Sequence, residues 1–155
     1  QVETSYTYSF VFDGMNYPAN SFYKGSYIFK NHFYPMVGEL DSSGEEFECA
    51  RALDSLPSVK RWVRNVVNPH YSFWLPTSTD RFYPDFVAEL EDGKVFVVEY
   101  KGKVYVTNDD SQEKRNLGEL WEEKSNGKAL FLMAEKQDSK GRDVYRQLAD
   151  KVLEK

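Results

Sequence analysis

Cys49 is the chain's one cysteine among 155 residues. That excludes an internal disulfide and any cysteine-rich zinc site, and it suits a reducing, cytoplasmic setting. The two histidines, His32 and His70, have no acid or cysteine at metal-ligand spacing, so both read as loop or core residues. No apolar run approaches the ~20 residues of a membrane span and no signal-peptide pattern opens the chain, so no membrane partner is expected. A glycine-rich phosphate loop is missing, which places any ATP-driven motor outside this chain, and no serine has a nucleophile-elbow setting. Positive charge is short as well. Twenty Lys plus Arg stand against twenty-five Asp plus Glu, a net charge of −5, whereas a stand-alone nucleic-acid binder carries an excess of positive charge to neutralise phosphates. If the chain acts on nucleic acid, other parts of a larger protein supply most of the grip. Its start at Gln1 rather than Met also leads us to expect a piece of a longer protein.

Aromatic residues are plentiful. Eleven Tyr and eleven Phe in a chain of this length imply one folded, β-containing domain with a sizeable core. Residues 1–42 read as a β-rich extension: alternating stretches such as YTYSFVF and GSYIFKN suggest short strands or hairpins, with Gly14, Asn16 and Pro18 at a turn. From 43 to 155 the pattern is that of one compact α/β core. EEFECARALDSL predicts a helix ending before Pro57, and a three-and-four step puts Glu46 on the face of Cys49, Ala50 and Leu53. Glu45 and Glu48 then tend toward solvent. VKRWVRNVV reads as a strand, with Lys60, Arg61 and Arg64 on a solvated face. Residues 68–80 read as a loop with a short extended segment.

Two further strands, 84–90 and 94–101, are joined through a tight turn. A helix opens with Asp110 and Glu113 as a capping pair and gathers Leu117, Leu120 and Trp121 on one face. KALFLMA (128–134) is an apolar strand, and the last residues form an amphipathic helix with Val144, Leu148 and Val152 inward and Tyr145 as a further candidate. The order predicts a mixed sheet flanked by helices, since a tight hairpin is antiparallel and a strand after an intervening helix adds in parallel.

The chemistry is concentrated in FYPDFVAELEDGKVFVVEYKGK, residues 82–103. Four acid-x-lysine triplets occur, but only Glu99-Tyr100-Lys101 follows an unbroken apolar strand. Alternation puts Val95, Val97, Glu99 and Lys101 on one face, with the Glu99 and Lys101 Cβ atoms roughly 7 Å apart. Unpaired charges there would cost several kcal/mol, so a partner is required. An ion pair is one solution and a metal ion another.

The parity of the turn bears on the choice. A two-residue loop, Asp92-Gly93, would place Asp85 on the face opposite Glu99. A three-residue loop, Glu91-Asp92-Gly93, pairs Leu90 with Lys94 and Asp85 with Glu99. That loop needs a left-handed residue at its third position, where Gly93 stands, so the longer form is predicted. Two adjacent carboxylates with open positions suit Mg²⁺, which keeps several waters and accepts phosphate oxygens, and Mn²⁺ would substitute. Such an ion beside a lysine suits phosphodiester hydrolysis.

Pro84-Asp85, Glu99-Tyr100-Lys101 and the helix-strand-hairpin-helix-strand order resemble the PD-(D/E)xK nuclease superfamily. More narrowly, GEEFECARALDSLPSVKRWVRN, FWLPT, FYPDF and VVEYKGK are similar to the C-terminal endonuclease domain of type III restriction enzyme subunits, over roughly residues 28–134. The resemblance implies a restriction-endonuclease-like fold with an α-β-β-β-α-β core and Mg²⁺-dependent cleavage of double-stranded DNA. It implies Asp85, Glu99 and the Tyr100 backbone carbonyl as metal ligands, Lys101 as the catalytic lysine, Glu46 as a further acid from the first helix, and Lys114 as an auxiliary residue. The expected partners are the rest of a helicase-containing restriction subunit and, as a further candidate, a methyltransferase subunit. Two other readings stay open: the same fold without catalysis, docking or guiding DNA in such an assembly, and an unrelated α/β domain with a structural ion pair.

Overall fold

The structure, a computed structural model, describes residues 8, 10–12, 14, 16–102 and 108–154. Its element order is α1 (Glu45–Ser55), β1 (Val59–Arg64), β2 (Leu75–Pro76), β3 (Arg81–Phe82), β4 (Phe86–Leu90), β5 (Val95–Tyr100), α2 (Asn108–Lys124), β6 (Ala129–Ala134) and α3 (Val144–Val152). The main sheet runs β1-β4-β5-β6. The β1/β4 and β4/β5 pairs are antiparallel and β5/β6 is parallel, the mixed sheet that the helix positions predict. The extended segment in the 68–80 loop pairs with residues just after it to give a separate two-stranded sheet, β2-β3.

Every residue of β5 is buried, because the sheet is covered on both faces. On one face α1 and α3 pack Cys49, Leu53 and Leu148 against Trp62, Phe86, Phe96 and Val98. On the other, Trp121 of α2 and Phe73, Leu75 and Phe82 of the 66–83 excursion cover Val63, Val87, Val97 and Phe131. Gly118 lets α2 lie close: a Cβ there would fall inside the Phe131 ring's van der Waals envelope.

The hairpin has the longer turn. Phe86 pairs with Val98 and Val87 with Val97, and Leu90 N–H donates to the Lys94 carbonyl at 2.9 Å, leaving Glu91-Asp92-Gly93 as the loop. Gly93 takes φ +92° with open space around it, so the turn needs glycine for its backbone alone.

Several local expectations are corrected. The strands expected in residues 1–42 reduce, among the described residues, to isolated bridges, Phe22 with Gly38 and His32 with Trp62; part of YTYSFVF lies outside the described residues. Packing and side-chain acceptors take the place of ladders. Tyr23 stacks on Phe47 of α1 and Tyr17 on Tyr34. The Asp54 carboxylate meanwhile accepts the backbone N–H groups of Lys30 and Asn31 that a partner strand would have used. Residues 31–33 run beside β1, where Trp62 N–H donates to Asn31 and Phe33 N–H to Trp62, and cover its edge. In α2, Asp110 lies within the helix rather than at its cap, and Glu113 accepts from the Ser78 N–H and hydroxyl instead. Leu120 and Tyr145, expected inward, are exposed. No described helix is long and apolar enough to cross a membrane.

Candidate functional site

Register carries Asp85 and Glu99 to the same end of the sheet. Continuing the β4/β5 pairing one step past Phe86–Val98 sets Asp85 opposite Glu99, and two bonds close the step. Asp85 N–H donates to Glu99 Oε1 at 3.1 Å, and Tyr100 N–H donates to Asp85 Oδ2 at 2.8 Å. Asn65 anchors the chain just before this point. Its N–H donates to the Asp85 carbonyl, while its buried amide donates to the Pro84 and Phe73 carbonyls and accepts from Phe73 N–H. Pro84-Asp85 is therefore gripped from β1 as well as from β5.

Among the described residues the lysine paired with Glu99 is Lys114. Its Nζ lies 3.4 Å from Glu99 Oε2 and 3.5 Å from Asp110, over the Phe82 ring. Among the described residues Glu99 pairs with Lys114 rather than with Lys101. The strand ends at Tyr100, and the half-buried Lys101 lines a groove with Glu45, Glu135 and Lys136. Lys101 makes no ion pair among the described residues, although its N–H stays in the sheet, donating to the Ala134 carbonyl at 2.6 Å.

Glu46 does reach the site, through a residue assigned above to a solvated face. Arg64, its side chain only 11% exposed, donates from Nη1 to Asp85 Oδ1 at 3.1 Å and from Nη2 to Glu46. Nη2 also donates to the Glu39 carbonyl at 3.2 Å, and the guanidinium lies over the Phe86 ring. Sequence reasoning missed Arg64. In the structure it stands at the end of β1 opposite Phe86, level with the strand end that carries Pro84-Asp85. Glu45 is tied down too, accepting from the Tyr100 hydroxyl at 2.5 Å; burial and then this bond raise the Tyr100 phenol above its ordinary range.

The electrostatics agree with convergence. Burial first, and the Asp85 charge second, push Glu46 above the usual carboxylate range against the pull of Arg64. The buried Cys49 thiol is raised by desolvation, then by Asp85, Glu46 and Glu99, so all three acids act on one point beneath α1. Among the described residues no three acidic, histidine or cysteine side chains are arranged as ligands of one ion; Arg64 stands between Glu46 and Asp85. By donor type the residues fit a hard divalent ion. They offer only oxygens, and the Asp85 and Glu46 side chains are 19% and 41% exposed, which leaves room for metal-bound water. No protein-family model, curated protein or solved structure matches the chain.

Proposed function

We propose that the chain is a metal-dependent endonuclease module of the PD-(D/E)xK type, hydrolysing phosphodiester bonds of double-stranded DNA within a larger helicase-containing restriction enzyme of type III character. The observation that carries this reading is the pairing of Asp85 with Glu99 at the sheet end, locked by Asp85 N–H to Glu99 and Tyr100 N–H to Asp85.

In this reading Asp85, Glu99 and the Tyr100 carbonyl hold Mg²⁺ or Mn²⁺, and Glu46 is the further acid. When bound, the ion supplies an activated water and positive charge for the phosphorus transition state. The chain's own groups do the rest. Lys114, 3.4 Å from Glu99 Oε2, holds the 6%-exposed Glu99 side chain in place. The Lys101 ammonium, without an ion pair among the described residues and one residue beyond Tyr100, is available to a phosphate oxygen. The net charge of −5 assigns most of the DNA grip to the parent protein. The test is nicking of supercoiled DNA by the parent enzyme in Mg²⁺. Asp85→Ala, Glu99→Ala and Lys101→Ala should abolish cleavage in protein that remains folded, and normal cutting by all three ends the assignment.

A second reading, a docking or DNA-guiding module with this fold and no catalysis, is favoured by one observation: Arg64 already pairs with two of the acids. It requires that calorimetric titration with Mn²⁺ show no binding that Asp85→Asn removes.

A further inference from the structure

Arg64 is the one side chain of the cluster to which the nuclease reading gives no task, yet it is the most elaborately held. Its backbone N–H donates to His32 Nε2 at 3.0 Å, which leaves the proton on Nδ1, donating to the Tyr34 carbonyl at 2.9 Å. The backbone is also paired with Phe86 of β4. At the other end, Nη1 and Nη2 divide between Asp85, Glu46 and the Glu39 carbonyl. Between these ends Nε is buried and has no hydrogen-bond partner among the described residues. A buried N–H left unpaired is destabilising, so the side chain holds this pose for the sake of the two carboxylates.

Those carboxylates need a cation. Glu46, Asp85 and Glu99 crowd one end of the sheet, and among the described residues only Arg64 pairs with both Glu46 and Asp85. A guanidinium and a divalent ion cannot share them, because two cations at ligand distance repel and the arginine already uses Asp85 Oδ1 and Glu46 Oε1. Withdrawal is open to the side chain alone, since the backbone anchors to His32 and Phe86 do not involve the guanidinium.

We propose that Arg64 is a resident counterion occupying the cation position between Glu46 and Asp85, and that metal binding displaces its guanidinium, so that Arg64 sets the metal affinity of the site. The proposal rests on the metal-site reading above. It makes Arg64 a positioning residue: without metal it keeps the acids from repelling one another, and with metal it is the group that moves.

The test is isothermal calorimetry with Mn²⁺ on the chain and on Arg64→Gln and Asp85→Asn, alongside chemical denaturation in EDTA. Arg64→Gln should bind Mn²⁺ at least tenfold more tightly than the unsubstituted chain. It should be less stable than that chain in EDTA and recover in saturating Mn²⁺, while Asp85→Asn binds none. Equal or weaker binding by folded Arg64→Gln, with Asp85→Asn still abolishing binding, overturns the counterion role and leaves the metal site standing. Absence of Mn²⁺ binding in both the unsubstituted chain and Arg64→Gln removes the metal site and the proposal together. Should Arg64→Gln not fold, the Arg64 Nε–H signal of the unsubstituted chain is followed by NMR during Mg²⁺ titration. It should shift together with the Tyr100 amide, and a Tyr100 shift with a stationary Arg64 signal overturns the proposal.

Discussion

Asp54 lies at the end of α1, 2% exposed, and its carboxylate is the knot that ties residues 27–31 to the core. Oδ1 accepts from Trp62 Nε1 at 2.9 Å and Asn31 N–H at 2.8 Å; Oδ2 accepts from Lys30 N–H at 2.9 Å and the Tyr27 hydroxyl at 3.0 Å. Asp54→Ala leaves the fully buried Trp62 indole without an acceptor, a loss of about 1–3 kcal/mol. The other three donors are partly buried and regain water, so each adds about 0.5–1 kcal/mol. The expected destabilisation is about 2.5–6 kcal/mol, a large fraction of a domain's usual stability. Asp54→Asn keeps one oxygen and the volume, and should lose about half as much. Guanidinium unfolding measures both, with a lowered midpoint and unchanged slope, and hydrogen exchange at the Lys30 and Asn31 amides should accelerate. Because Asn31 and Phe33 bond the backbone of Trp62, and His32 that of Arg64, the loosening should reach the site. A loss below about 1 kcal/mol for Asp54→Ala, or unchanged exchange at Lys30 and Asn31, refutes the reasoning.

Two further predictions concern pH and packing. Burial lowers His32 to about 4 from an ordinary 6.5. The unfolded chain therefore takes up a proton below about pH 6.5 that the folded chain refuses until about pH 4, and stability falls as pH drops through that window. The shift amounts to about 3 kcal/mol, and His32→Gln should flatten the stability-pH slope there; an unchanged slope contradicts it. Gly118→Ala should destabilise by about 1–3 kcal/mol by driving a methyl into the Phe131 ring. The stabilisation that helix propensity alone would give is the contrary result.

The parts of the fold legible in the sequence are those with a local cause. Gly93 supplied the left-handed third turn position, and with it the register that aligns Asp85 with Glu99. Apolar period and Pro57 likewise marked α1. What was not legible depends on contacts between distant elements. The register of β1 shifts between Val59 and Arg61, and such an irregularity leaves no mark in an alternating pattern, so the position of Arg64 against Phe86 and Asp85 was hidden. Alternation also assumed that β5 continued through Lys101. The strand ends at Tyr100, and among the described residues the lysine that pairs with Glu99 is Lys114 of α2. The N-terminal aromatics had strand composition, but a strand needs a partner edge, and these rings found the core first.

The central claim, that turn parity builds a metal site from Asp85 and Glu99, is tested most directly by a crystal structure of the chain soaked in Mn²⁺, read by anomalous diffraction. The expected result is a peak bound by Asp85, Glu99 and the Tyr100 carbonyl, with the Arg64 guanidinium withdrawn from Asp85 and Glu46. No peak at saturating Mn²⁺, with Arg64 still bridging Glu46 and Asp85, would contradict it.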